Sequence, residues 1–114
     1  MAEASSGATA PLFDLMVLKR LKAEIDDPPG LVDELLGQFK DEIPLALAGL
    51  RQARGEQVKR QAHKLKGTCQ VLGAKRLADC CQALEHSAEG EQPAILAHLE
   101  AVAAETVKAV PGSA

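Results

Sequence analysis

One segment of the chain, AHKLKGTCQVLG over residues 62–73, places reactive and charged side chains at helical spacing. Four of them follow at i, i+3, i+4 and i+7 and so share one stripe of a helix: His63, Lys66, Gly67 and Gln70. A neutral imidazole is a nitrogen nucleophile at cellular pH, and it can accept a phosphoryl group without a metal of its own. The stripe therefore indicates phosphoryl chemistry at His63.

The three neighbours of His63 each suit a phosphorylated imidazole. Lys66, one turn on, places an ammonium where it can neutralise phosphoryl oxygens. Gln70, a further turn on, can offer an amide donor. Gly67 is unfavourable inside a helix by roughly 1 kcal/mol relative to alanine, so its presence needs a reason. Room for a docking partner is the simplest one.

A second stripe of the same helix is apolar and predicts its buried face. It consists of Val58, Ala62, Leu65, Cys69 and Leu72. At about 100° per residue, the stripe of His63 is turned by more than a quarter circle from it. We therefore expect His63 to project from the protein, where another protein can reach it.

The elements that must position this stripe are all predicted to be helices. Apolar residues at steps of three and four, together with glycine and proline stops, predict helices over residues 14–25, 30–53, 56–72, 74–88 and 93–110. We expect Asp14 to cap the first helix, Pro44 to bend the second and Gly73 to end the third. Short connections predict an all-α fold: an antiparallel four-helix bundle with an additional short N-terminal helix.

Composition bounds the class of protein. The 114 residues suit one domain, and 46% hydrophobic against 2% aromatic residues predicts an aliphatic helical core. Residues 1–10 are predicted to be a flexible tail and residues 11–112 the folded domain. Neither a membrane span nor a secretory signal is recognisable, so we expect a soluble, cytoplasmic protein. We also expect a monomer that needs no cofactor. Met1 and the short tail favour a free-standing protein.

The charges are unevenly distributed. The net charge of −3 argues against a general nucleic-acid binder. Between residues 51 and 76, however, eight basic residues stand against a single acid. Lys59, Arg60 and Lys64 bracket His63 in this stretch and are candidates for docking an acidic partner.

The three cysteines, Cys69, Cys80 and Cys81, give no framework for disulfides or zinc. Their number is odd, two are adjacent, and no C-x-x-C is present. Adjacent helical residues also point about 100° apart, which does not suit a shared metal. We expect reduced and mostly buried thiols, and no metal site.

The pattern A-H-x-L-K-G-T-x-x-x-L-G resembles the signature of the histidine-containing phosphotransfer (HPt) family, with Thr68 where the family usually has Ser or Ala. The region from Phe39 to Pro44 and the hairpin around Gly73 are also similar to the family. The resemblance implies phosphorylation of His63. It further implies that receiver domains of a hybrid histidine kinase and of a response regulator are the partners, and that they supply Mg²⁺.

The same resemblance implies phosphoryl support from Lys66 and close approach of a partner over Gly67. The chain has no glycine-rich nucleotide-binding element, so it is not expected to be a kinase and must take its phosphoryl group from a partner.

Two other functions remain open: a helical adaptor that binds receivers without carrying phosphate, and a small metal or redox protein that uses its thiols.

Overall fold

The computed structural model describes residues 12–25 and 27–110. This part of the chain is helical and contains no strand. Its helices are α1 (Leu15–Ile25), α2 (Leu31–Gln52), α3 (Glu56–Leu72), α4 (Lys75–Glu85) and α5 (Gln92–Ala109), with a 3₁₀ turn at Glu89–Glu91 before α5. The all-α prediction is confirmed. The predicted tail over residues 1–10 lies outside the described residues, and the domain bounds stay a prediction.

The start of α1, at Asp14, lies against the end of α3, at Gly73, and both helix ends agree with the prediction. The Asp14 carboxylate accepts hydrogen bonds from the backbone N–H groups of Met16 at 3.0 Å and Val17 at 3.4 Å, and so caps α1. Gly73 follows α3 in the left-handed conformation with φ 76°. The Gly73 carbonyl accepts a hydrogen bond of 2.6 Å from the Asp14 N–H, which ties the two ends together.

The prediction for α4 is wrong at its C-terminal end, because the helix ends at Glu85 and not at residue 88. The buried Ser87 hydroxyl donates to the Leu84 carbonyl at 2.6 Å. This local bond competes with continuation of the helix. Gly90 does not end α4 but lies in the 3₁₀ turn that follows it. Glu85 therefore becomes the last residue of α4.

Helices α2 to α5 surround one core, which is mostly aliphatic but also buries both phenylalanines, Phe13 and Phe39. α3 packs most extensively against α4, α4 packs against α5, and α2 contacts both α3 and α5, while α1 lies against α2 and α3. The predicted inner face of α3 is buried throughout, and so are Leu77, Cys80, Cys81 and Leu84 on α4. α2 continues through Pro44. No helix within the described ranges is long and apolar enough to cross a membrane.

Candidate functional site

His63 lies in the middle of α3 and projects from the protein, with 68% of its side chain exposed. It is exposed because the face of α3 that carries Ala62 and Leu65 is buried against the core. The predicted orientation of the imidazole is therefore confirmed. A partner protein can reach the ring without a rearrangement of the helices.

A carboxylate from the neighbouring helix joins His63 to Lys66. Oε2 of Glu85 lies 2.7 Å from Nδ1 of His63, and Oε1 of the same carboxylate lies 2.7 Å from Nζ of Lys66. The Lys66 side chain is only 15% exposed, and Oε1 of Glu85 is covered from solvent. The three side chains form one connected group, which we call the His63–Glu85–Lys66 cluster.

The charges around Glu85 favour its ionised form. The hydrogen bond from Lys66, and after it the bond from His63, lower the pKa of the Glu85 carboxyl below its usual value, although partial burial opposes them. The position itself is unfavourable for an acid, because the C-terminal end of a helix carries partial negative charge. The Lys66 ammonium offsets that repulsion.

The ionised carboxylate determines which ring nitrogen of His63 is free. A carboxylate only accepts hydrogen bonds, so Nδ1 of His63 must carry the hydrogen that faces Glu85. In the neutral ring the lone pair then lies on Nε2. The cluster therefore holds the imidazole in the tautomer that leaves the lone pair on Nε2 free.

The structure distributes the other predicted residues around the imidazole. Gly67 is exposed, and a Cβ added there would meet no atom within 4 Å. Lys64 is exposed on the flank that faces α2. Gln70 is exposed near the end of α3, and Arg60 is exposed one turn before His63. Lys59 is half-buried and lines a hollow beside the end of α4.

Sequence reasoning missed Glu85. It lies 22 residues from His63 along the chain, and no local motif connects the two. One weak signal was present, because an acid in the last turn of a helix opposes the helix dipole and calls for a compensating cation. Only the packing of α3 against α4 decides which cation lies beside the Glu85 carboxylate.

The thiols lie apart from this cluster, in the core. Cys69, Cys80 and Cys81 are all free and buried. A hydrogen bond with Cys81, together with burial, raises the pKa of Cys69, and burial raises the pKa of Cys80 to about 11. Thiols in this state are poor nucleophiles and poor metal ligands. In the part of the chain that the structure describes, no group of three or more His, Cys, Asp or Glu residues could hold a metal ion.

Comparison with known proteins gives one match. The family model described as the Hpt domain matches residues 34–109, more than half of the 114 residues. The matched range includes all of α3 and α4 and therefore the whole His63–Glu85–Lys66 cluster. No curated protein and no solved structure matches the chain.

Proposed function

The chain belongs to the Hpt domain family, and from that premise we propose that it carries a phosphoryl group on His63 between the aspartates of receiver domains. Membership in the family implies phosphotransfer in two-component signalling, by a carrier and not a kinase. The observation that carries the assignment to His63 is its exposed imidazole, with Nδ1 held by the ionised Glu85 carboxylate.

The proposed transfer begins on the free nitrogen of the ring. Nε2 of His63 attacks the phosphorus of a receiver's aspartyl phosphate, an N–P bond forms, and the O–P bond breaks with its electron pair returning to the aspartate. The ring becomes positively charged, with the hydrogen still on Nδ1. The Glu85 carboxylate, at 2.7 Å from Nδ1, stabilises that charge as it develops.

Transfer to the next receiver uses the same contact. When an acceptor aspartate attacks the phosphorus, the N–P electron pair returns to the ring. Because Nδ1 keeps its hydrogen, the imidazole leaves as a neutral molecule and not as an anion. One carboxylate thus supports both directions of exchange, as a carrier between two aspartates requires.

Lys66 has two parts in this proposal. Its ammonium holds the carboxylate of Glu85 in place, and its positive charge lowers the cost of bringing an anionic phosphoryl group to His63. Gln70 offers an amide to the phosphoryl oxygens. Receivers, which supply Mg²⁺, dock over a surface that includes Gly67 and the cations Lys59, Arg60 and Lys64.

The proposal also includes the order of the helices, the oligomeric state and the location of the protein in the cell. We propose an antiparallel order for helices α2 to α5, because each is joined to the next by a short connection. We also propose that the protein acts as a monomer in the cytoplasm, where the receivers of two-component signalling are expected.

The test is transfer of label from purified receiver domains, each phosphorylated with radiolabelled acetyl phosphate. We expect acid-labile, base-stable phosphate on the chain, and none on a His63→Gln variant whose helicity and melting are unchanged. The chain has two other histidines, His86 and His98, and label that persists on His63→Gln would move the site to one of them. A chain that binds receivers but never becomes labelled would be an adaptor.

A further inference from the structure

Two cysteines face each other across the interface of α3 and α4. The thiols of Cys69 and Cys81 share a hydrogen bond, and both residues are completely buried. Only Gly73 and Ala74 connect the two helices, which pack against each other more extensively than any other pair of the described helices. The thiol contact therefore joins two rigid elements and does not depend on a loop.

This thiol contact lies one helical turn from the His63–Glu85–Lys66 cluster. Cys69 follows Lys66 by three residues on α3, and Cys81 precedes Glu85 by four residues on α4. Residues three or four apart share a face of a helix, with Cβ atoms about 5–6 Å apart. The contact of Cys69 with Cys81 therefore lies next to the contact of Lys66 with Glu85, between the same two helices.

A small hollow leads from the surface to Cys69. It has a volume of about 170 Å³ and lies between the start of α1 and the adjoining ends of α3 and α4. Asp14, Gly73 and Asp79 line it together with Cys69. A molecule of the size of water needs only about 10–15 Å³ of such space. Hydrogen peroxide, which is little larger than water, can therefore approach Cys69 without unfolding of the chain.

We propose that Cys69 and Cys81 are a redox-sensitive pair, which a peroxide joins in a disulfide that displaces Glu85 from His63. The consequence for phosphoryl exchange rests on the proposed function, whereas formation of the disulfide does not. We expect the oxidised chain to exchange phosphoryl groups more slowly, and reduction of the disulfide to restore the rate.

The oxidation proceeds in two steps. The sulfur of Cys69 attacks one oxygen of hydrogen peroxide, the O–O bond breaks, and the proton of the thiol leaves in a molecule of water. The sulfur of Cys81 then attacks the sulfur of the resulting sulfenic acid, the S–O bond breaks, and the proton of Cys81 leaves in a second water. Two thiols are oxidised to one disulfide, and one peroxide is reduced to two waters.

The environment of the thiols keeps the pair reduced when peroxide is scarce. The hydrogen bond with Cys81, and after it burial, raises the pKa of Cys69, and only the thiolate attacks a peroxide. Abundant peroxide is therefore needed to form the disulfide. Cys80 serves as an internal control, because it lies beside Cys81 in sequence but points about 100° away from it on the helix.

Formation of the disulfide must move α3 and α4 relative to each other. An S–S bond is about 2.05 Å long, much shorter than a hydrogen bond between two thiols. The movement acts one turn from Glu85, whose carboxylate lies 2.7 Å from Nδ1 of His63. A displacement of about 1 Å at a reacting group can cost 100-fold in rate. We therefore expect exchange to slow by about tenfold or more in the oxidised chain.

The test treats the full chain with hydrogen peroxide and then removes the peroxide. Titration in urea should find one of the three thiols free in the wild type and none in Cys80→Ala, which retains only the proposed pair. Dithiothreitol should restore both the thiols and the exchange rate. It does not reverse oxidation of the exposed Met16, so recovery assigns the effect to the disulfide.

Variants that lack one member of the pair are the matched controls. Cys69→Ala and Cys81→Ala should each keep their own exchange rate after peroxide treatment. Labelling by phosphoramidate reports on His63 without a receiver, as the P–N bond of the donor breaks, ammonia leaves and a new N–P bond forms on the ring. This labelling should slow in the oxidised wild type and in oxidised Cys80→Ala.

Each failure has a distinct meaning. Three free thiols in the treated wild type, or a disulfide that includes Cys80, would overturn the proposed pair, and so would equal slowing in Cys81→Ala. A disulfide between Cys69 and Cys81 that leaves exchange and phosphoramidate labelling unchanged would overturn the effect assigned to it. If no receiver labels even the reduced chain, the proposed function is wrong, and phosphoramidate labelling still decides whether the disulfide affects His63.

Discussion

Replacing Gly67 by alanine should stabilise the folded chain and at the same time slow phosphoryl exchange with a receiver. Gly67 lies inside α3, is exposed, and offers open space to an added Cβ. Alanine is favoured over glycine inside a helix by about 1 kcal/mol. For a domain of about this size, that gain raises Tm by about 4–8 °C.

The loss of exchange follows from the position of Gly67 one turn after His63. Side chains at i and i+4 of a helix have Cβ atoms about 5–6 Å apart. A receiver must bring its phosphorus to within about 3–3.5 Å of Nε2, and a displacement of about 1 Å can cost 100-fold in rate. We therefore expect exchange to slow by about tenfold in Gly67→Ala and by about 100-fold in Gly67→Leu.

The assay combines thermal melts with rapid-quench transfer from a labelled receiver. Labelling by phosphoramidate, a small phosphoryl donor, is measured beside them, because a side chain at position 67 should not hinder so small a molecule. Gly37→Ala is the matched control, because Gly37 is also inside a helix and an added Cβ there meets no atom within 4 Å. It should stabilise the chain without slowing exchange. Normal exchange in a folded Gly67→Leu variant would refute the argument that this glycine provides access.

Glu85→Gln should slow exchange in both directions, measured by rapid quench, while labelled phosphate still appears on His63. Because the folded-state pKa of Glu85 is lowered, its stabilising contribution is present above the ordinary glutamate pKa of 4.5 and is lost as pH falls through the lowered value. The variant should therefore lose less stability than the wild type in melts over an acidic pH series. Equal losses of stability in the two proteins would show that the ionised Glu85 carboxylate does not stabilise the fold. Lys64→Glu should slow association and flatten its dependence on salt, as the Debye length falls from about 30 Å at 0.01 M to about 8 Å at 0.15 M. Lys66→Ala should instead lower the rate within the complex at saturating receiver; equal losses in that rate for both lysines would sink the distinction. Leu77→Ala should cost about 2–5 kcal/mol in urea unfolding, since Leu77 is fully buried, and a smaller loss would mean that the core collapses around it.

The spacing of the apolar residues, together with the glycine and proline stops, predicted the helices well. The bounds of the third helix agree with those of α3, and its apolar stripe is the buried face, because the periodicity of one helix depends only on its own residues. The end of α4 was placed three residues too late. The bond from Ser87 to the Leu84 carbonyl stops that helix, and a serine in this position gives no strong sequence signal.

The sequence by itself also determined that His63 and its neighbours lie on one exposed face of a helix, since residues at i, i+3 and i+4 share a face in any helix. Only the tertiary structure decided which side chain forms a hydrogen bond with the imidazole of His63. Glu85 reaches His63 and Lys66 because α4 ends beside the middle of α3. Contacts between helices depend on how the whole core packs, and the sequence of α3 does not encode them.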